Sequence, residues 1–150
     1  MATKQPKIVL HDHLDGGVRP ATVIDLAAAA DIDLPTVDSA GLATWFTITP
    51  GMPFAEAWKR FDVVIAVLQT ADSLRRVARE AVEDLAADGV VYAELRFAPL
   101  NHLRGGLSPA QVMEAVGVGP VSYTHLRAHE TGRHIAYAVF CLKMGGGGGG

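Results

Sequence analysis

Residues 8–17 read Ile-Val-Leu-His-Asp-His-Leu-Asp-Gly-Gly, an apolar run that ends in alternating polar residues and two glycines. Successive side chains of a β-strand point to opposite faces, so a strand would place His11 and His13 on one face. Two imidazoles on one face can bind a single metal ion, and Asp15 follows with the same parity. The stretch therefore predicts half of a metal site at the carboxyl end of a buried strand, where barrel enzymes carry their catalytic groups.

The composition of the 150 residues excludes several classes of protein. Hydrophobic residues make up 49% and charged residues 19%, which is typical of a soluble globular protein. The net charge of −3 gives no reason to expect a nucleic-acid or membrane partner, and no apolar run approaches the roughly 18 residues of a membrane span. Cys141 is the single cysteine, so no disulfide framework is expected. Residues 1–7 lack the apolar core of a signal peptide, which predicts a cytoplasmic protein.

Hydrophobic periodicity predicts parallel βα units. The order is strand, helices, strand and helix, which favours an α/β fold. We predict the following elements: a strand at 7–13, a helix opened by Pro20 and extending to residue 30, a loop with a short helix at 36–44, a helix at 54–68, a helix capped by Asp72 or Ser73 and closed by Gly89, a strand at 90–97, and a helix that starts at Ser108-Pro109.

Several polar and aromatic residues have an ordinary structural interpretation. The His11 and His13 pair by itself also fits two strand histidines that are satisfied by hydrogen bonds, and Asp15 fits a turn residue. The apolar stripe of Phe54, Trp58 and Phe61 has the spacing of a core-facing helix. Residues 94 and 96, Glu and Arg, share a strand face, where they either pair or meet solvent. His102 is predicted to be a surface loop residue.

Segments in the right order resemble the adenosine deaminase family of metal-dependent amidohydrolases. Residues 7–20 resemble its first strand and loop, and Tyr-Ala-Glu-Leu-Arg-Phe-Ala-Pro at 92–99 resembles its second strand. Gly-Gly-Leu-Ser at 105–108 resembles the segment that follows. The likeness covers residues 7–118. It implies a (β/α)8 TIM barrel, of which this chain supplies the first two βα units.

The resemblance also implies which residues form the site. His11 and His13 match the first two ligands of one Zn²⁺, and Asp15 matches the residue that contacts the ribose hydroxyl, with His13 also near the substrate. Relatives that act on the free base tend to carry Glu where this chain has Asp15, which favours a purine nucleoside as the small-molecule partner. The helix at 54–61 resembles the one that lies over the pocket entrance of the family.

The implied reaction is hydrolytic deamination of adenosine or deoxyadenosine to the inosine form, in which zinc activates water and ammonia leaves. The family draws a third His ligand, an Asp ligand, a Glu acid and a further His from later strands. This chain contains none of those segments, so we assign no catalytic residue to it and expect it to be inactive and to bind zinc weakly. The alternatives are a deaminase of adenine or another aminopurine nucleoside in the same superfamily, and a non-functional truncated polypeptide.

The composition changes near Gly119-Pro120. Residues 1–119 carry 10 basic and 15 acidic side chains, whereas residues 120–150 carry three and one, half of the six histidines and a final run of six glycines. Residues 121–131 resemble one reading frame of a transposase-type sequencing-library adapter, and residues 137–143 resemble the far end of that adapter. This likeness accounts for the tail histidines without a metal. We therefore predict that 1–119 is the amino-terminal part of a barrel and that 120–150 is a disordered, adapter-derived tail.

Overall fold

The computed structural model describes residues 5–118, 124–129 and 138–144, with the backbone alone for Val118 and for the last two ranges. In the described ranges the chain forms four strands and five α-helices: β1 Lys7–His13, α1 Pro20–Ala30, α2 Ser39–Phe46, α3 Phe54–Val67, α4 Ala71–Ala87, β2 Val90–Phe97, α5 Pro109–Val118, β3 Thr124–His129 and β4 Ala138–Met144. Short 3-10 turns at Leu14–Gly16 and Pro99–His102 follow β1 and β2. The predicted α/β class, with two strands each followed by helix, is confirmed.

The sheet has the order β1-β2-β4-β3. β1 and β2 are parallel, as the helices between them require. β4 pairs antiparallel with β2 from Tyr92↔Lys143 to Phe97↔Ala138, and β3 pairs antiparallel with β4. Two parts of the tail predicted to be disordered therefore form strands. The open edge of β2 explains this difference, because an edge strand presents unpaired backbone groups to any extended segment that reaches it.

The core lies between the helices and the helix-facing side of β2. The inner face of α4 is buried as its periodicity predicts, at Leu74, Val77 and Ala78. α5 adds Val112 and Val116 to the same cluster. These side chains fix the position of β2, and through it the position of the parallel strand β1.

The start of α4 differs from the prediction. Asp72 and Ser73 were expected to cap the helix, but the cap is Thr70, whose hydroxyl accepts a hydrogen bond from the Ser73 backbone N–H at 3.1 Å. Ser73 completes a capping box by accepting from the Thr70 backbone N–H at 3.2 Å. Thr70 is the cap because the residue before the first helical turn has extended backbone geometry, from which its hydroxyl can reach a backbone N–H of that turn.

A buried polar cluster joins α1 to α4. The Glu80 carboxylate accepts hydrogen bonds from the Thr22 hydroxyl at 2.6 Å and the Arg76 Nε at 2.8 Å. Arg19, just before α1, donates to Asp84 at 2.6 and 2.9 Å. Because buried charge is tolerated when it is paired in this way, the cluster holds the start of α1 and the loop that leads to it from β1. Within the described ranges, no helix is long and apolar enough to span a membrane.

Candidate metal and ligand site

The backbone at the end of β1 is irregular. His11 has a φ of 63°, in the left-handed region that residues other than glycine rarely adopt. Between Val9 and Asp12 the strand advances three residues, whereas β2 advances two, from Ala93 to Leu95. This is a β-bulge, a device that redirects a side chain. The simple alternation of faces therefore does not hold across His11.

The structure nevertheless brings the two predicted imidazoles together. The ring centroids of His11 and His13 lie 5.4 Å apart with an interplanar angle of 43°. Two imidazoles that bind one zinc tetrahedrally at about 2.0–2.1 Å have centroids roughly 5 Å apart. The spacing of this pair fits two positions of a zinc site.

A complete set of ligands is not formed by the described side chains. A catalytic zinc takes three protein ligands, and residues 5–117 contain no group of three His, Cys, Asp or Glu side chains placed to hold a metal ion. The tail residues His125, His129, Glu130, His134 and Cys141 have side chains outside the described part of the chain. Within residues 5–117, His11 and His13 are therefore two candidate ligands without a third beside them.

Asp15 lies deep in the turn that follows β1. Its side chain is 3% exposed, and Oδ1 has no hydrogen-bond partner within the described ranges. The His13 ring lies beside the carboxylate, with Nδ1 3.7 Å from Oδ1. Burial raises the pKa of the Asp15 carboxyl, and its own backbone N–H and His13 oppose this effect. An unsatisfied buried acceptor costs about 1–3 kcal/mol, so this geometry is suited to a ligand that donates a hydrogen bond.

A cleft of about 290 Å³ opens beside these residues. Its polar side chains are His13, Asp15 and Asn101, and the rest of its wall is apolar: Phe54, Ala57, Trp58, Phe61 and Ala98. A mostly apolar cleft with a few convergent polar groups is the usual form of a small-molecule site.

The aromatic stripe of α3 has two different environments. Ile65 and Leu68, at its carboxyl end, are buried in the core. Phe54 is 76% exposed and Trp58 is 47% exposed, and their rings meet edge to face at 5.5 Å. The core interpretation of the stripe is therefore wrong for Phe54 and Trp58, which line the cleft.

Glu94 and Arg96, which the sequence left open, each have a partner of their own. The Tyr92 hydroxyl donates to Glu94 Oε1 at 3.0 Å. The Arg96 guanidinium lies against the ring of His11, with Nη1 2.7 Å from Nδ1 and 2.6 Å from Nε2. Sequence reasoning missed this contact because it depends on the β-bulge. It also missed Asn101, whose one signal is its position just after the carboxyl end of β2.

The environment of His102 differs from the prediction. It was predicted on the surface, but it is 1% exposed. Its Nδ1 hydrogen-bonds the Leu68 carbonyl at 2.9 Å, and its ring lies 5.7 Å from that of Phe97. Burial lowers the pKa of His102, since the charged ring would lose its hydration. The 3-10 turn after Pro99 folds the imidazole inward, which loop composition does not reveal.

Comparison with known proteins shows which family the chain resembles. The family model described as adenosine deaminase matches residues 6–138, and so continues past residue 119. An adenosine deaminase of Mycobacteroides abscessus is 51% identical over 119 residues, which cover 78% of this chain and 33% of the relative. Adenosine deaminase 1 of Streptomyces coelicolor is 46% identical over 143 residues, 94% of this chain and 36% of the relative. The chain thus spans about a third of the length of these relatives.

Solved structures give the same result. An N6-mAMP deaminase from Arabidopsis superposes with a TM-score of 0.62 and 32% identity, over 79% of this chain and 35% of the other. An amidohydrolase from Burkholderia ambifaria, solved with bound Zn, superposes with a TM-score of 0.66 and 27% identity, over 79% and 32% of the two chains. Because the family model matches most of its length, the chain belongs to the adenosine deaminase family.

Proposed function

We propose that this chain forms the first part of a zinc-dependent hydrolase that deaminates adenosine and deoxyadenosine to inosine and deoxyinosine. The observation that carries the proposal is that His13 and the unsatisfied Asp15 carboxylate line one cleft, with the His11 ring 5.4 Å from that of His13. The relatives named adenosine deaminase support the choice of substrate. The relative solved with bound Zn supports the choice of metal. A cytoplasmic location stays a prediction.

Each residue of the half-site has a distinct role in this proposal. His11 and His13 would hold the metal, which when bound supplies the activation of water for attack on the purine. Asp15 would accept a hydrogen bond from a ribose hydroxyl, which satisfies Oδ1 and orients the nucleoside. His13 lines the same cleft and therefore lies next to the substrate as well.

The aromatic side of the cleft would cover the purine. Phe54, Trp58 and Phe61 offer flat apolar surfaces along one wall, and such rings exclude water while they contact a heteroaromatic base. Water exclusion would strengthen the polar contacts of Asp15, which lines the same cleft.

The proposal assigns no activity to the 150-residue chain alone. Two imidazoles are fewer than the three protein ligands that a catalytic zinc needs, and no catalytic acid is assigned among these residues. The test joins residues 6–119 to the remainder of the Mycobacteroides abscessus relative, which is 51% identical over the matched region. We expect the chimera to deaminate adenosine, followed as the fall in ultraviolet absorbance, and His11→Ala to abolish the reaction. A folded chimera that binds zinc and leaves both nucleosides unchanged would refute the proposal.

A second candidate is a deaminase of another 6-aminopurine. The N6-mAMP deaminase that superposes on this chain supports it, because a nucleotide is the substrate named for that protein. A panel of adenosine, deoxyadenosine, adenine, AMP and N6-methyl-AMP on the same chimera separates the two. The first proposal predicts the highest kcat/KM for the two nucleosides, and a preference for the free base or a monophosphate selects the second.

We also propose that the family's own sequence ends near residue 119 and that residues 120–150 derive from a sequencing adapter. The change in composition and the likeness of residues 121–131 and 137–143 to the adapter support this. The family match that continues to residue 138 argues for a later boundary. Long-read sequencing of the source DNA decides the point. A locus that encodes residues 121–143 and continues to a stop codon would exclude an adapter origin.

A further inference from the structure

Arg96 contacts the part of His11 that a metal would use. Its Nη1 lies 2.7 Å from Nδ1 and 2.6 Å from Nε2 of the imidazole. The lone pairs of the two ring nitrogens diverge in the ring plane, so one guanidinium nitrogen can align with at most one of them. The contact therefore packs a cation against the ring, where at most one of the two nitrogens accepts a hydrogen bond from it.

This contact differs from the hydrogen bond that a metal-binding histidine usually makes with its second nitrogen. A ligating imidazole normally donates its second N–H to a carboxylate, a carbonyl or a water, which fixes the tautomer and raises the basicity of the ligating nitrogen. A guanidinium is a donor only and is always charged, so it cannot accept that N–H. Arg96 instead engages a ring lone pair and brings a positive charge to the place where a divalent cation would bind.

The backbone keeps the two groups together. Arg96 is the register partner of His13 in the parallel pair, so in a regular strand His11 would lie two residues away along β1. The bulge between Val9 and Asp12, with the φ of 63° at His11, instead sets the His11 ring against Arg96.

We propose that Arg96 competes with the metal for His11: in the metal-free chain the guanidinium occupies the ring, and it has to withdraw before His11 can bind a divalent cation. The inference rests on the proposed metal half-site and adds a residue that sets its affinity. It explains why a half-site with suitable ring spacing would bind zinc weakly beyond its missing third ligand. Arg96 acts through His11 and is a positioning residue.

The test measures binding of Zn²⁺ alone to the 150-residue chain by isothermal titration calorimetry. Arg96→Gln removes the competing charge, and the matched control Arg104→Gln removes an exposed charge from the groove beside Trp58 and Asn101. We expect Arg96→Gln to tighten zinc binding by about tenfold, equal to about 1.4 kcal/mol, and Arg104→Gln to leave it unchanged. Arg96→Lys, which keeps the charge but loses the planar fork, is expected to lie between wild type and Arg96→Gln.

Further variants separate the inference from the proposed function. In Arg96→Gln/His11→Ala the gain should vanish, since it acts through His11. Equal or weaker zinc binding by a folded Arg96→Gln, judged by circular dichroism, overturns the inference, and so does the absence of binding in both wild type and Arg96→Gln. Zinc binding that His11→Ala and His13→Ala leave untouched would instead contradict the half-site itself. If Arg96→Gln does not fold, the Arg96 Nε resonance of the wild-type chain decides: a shift on zinc saturation supports withdrawal, and no shift overturns it.

Discussion

The ends of β1 and β2 lie side by side in one sheet, yet the buried polar side chain that follows β1 lines the cleft and the one that follows β2 does not. At the end of β1, His11 has a left-handed backbone and Asp15 is buried with one carboxylate oxygen unsatisfied in the described structure. At the end of β2, His102 is buried on the Leu68 carbonyl. Both ends hold a buried atom without a hydrogen-bond partner in the described structure, Asp15 Oδ1 and His102 Nε2, but Asp15 lines the cleft and His102 does not.

The turn at the end of β2 is held by a single amide side chain, that of Gln69. Gln69 Nε2 donates to the carbonyls of Ile65 at 2.7 Å and Asn101 at 3.0 Å, and its Oε1 accepts from the Arg104 backbone N–H at 2.9 Å. This joins the end of α3 to the turn after β2 and fixes one wall of the cleft. The comparison teaches that an unsatisfied polar atom indicates a ligand site where it also lines a cleft, as Asp15 does and His102 does not.

The largest effect is expected from loss of either histidine of the β1 end. In the chimera, His11→Ala or His13→Ala should reduce kcat/KM for adenosine by at least about 100-fold, because loss of a direct ligand exceeds the roughly 10–100-fold cost of losing an outer partner. Steady-state kinetics and zinc content measure it. A variant that keeps its zinc and more than a tenth of the activity would remove the distinction between the two strand ends.

The β2 end is tested by two glycines. A Cβ on Gly105 would lie 2.1 Å from the Gln69 carbonyl oxygen, which is backbone and cannot easily move, whereas a Cβ on Gly117 meets nothing within 4 Å. We expect Gly105→Ala to lower the free energy of unfolding by about 1–3 kcal/mol or more and Gly117→Ala, within α5, to raise it by about 0.5–1 kcal/mol. Urea denaturation compares them, and equal stabilities would show that the turn is not tightly closed.

Asp15→Asn should separate stability from function. The amide keeps the shape of the side chain but removes the burial of charge that raises the Asp15 pKa. The free energy of unfolding of the chain should rise by up to about 1 kcal/mol, while the KM of the chimera for adenosine increases. A variant that is less stable and retains the KM would indicate that Asp15 is a structural turn residue.

The smallest effect concerns pH and His102. Burial holds the pKa of His102 below its value in the unfolded chain, so the unfolded state takes up a proton first as pH falls. The contribution of His102 to stability is therefore complete above pH about 6.5 and is lost as pH falls below it. His102→Asn keeps a donor for the Leu68 carbonyl and should flatten this part of the stability curve. An unchanged slope would mean that another group titrates.

The regular parts of the fold could be predicted because they follow from hydrophobic periodicity and from the residues that start and end helices. Pro20 starts α1, Gly89 with a φ of 84° ends the α4 segment, and the alternation in β2 matches its burial. These features depend on neighbours in sequence. The α/β order of the elements then followed from their lengths and spacing.

The rest depended on contacts between distant residues. The pairing of His11 and His13 was predicted from strand alternation, but the structure reaches it through a bulge that the sequence does not reveal. The burial of His102 and the strands of the tail arise from a carbonyl 34 residues away and from an open sheet edge. Such features cannot be predicted from local sequence propensity, because they arise from contacts that form only in the tertiary fold.

The most direct test of the metal site is anomalous diffraction at the zinc edge from crystals of the chimera. The account predicts one peak at about 2.0–2.1 Å from a ring nitrogen of both His11 and His13, with the Arg96 guanidinium displaced from the His11 ring. A zinc peak at other residues, with Arg96 still against His11, would contradict the assignment of this strand end as the metal site.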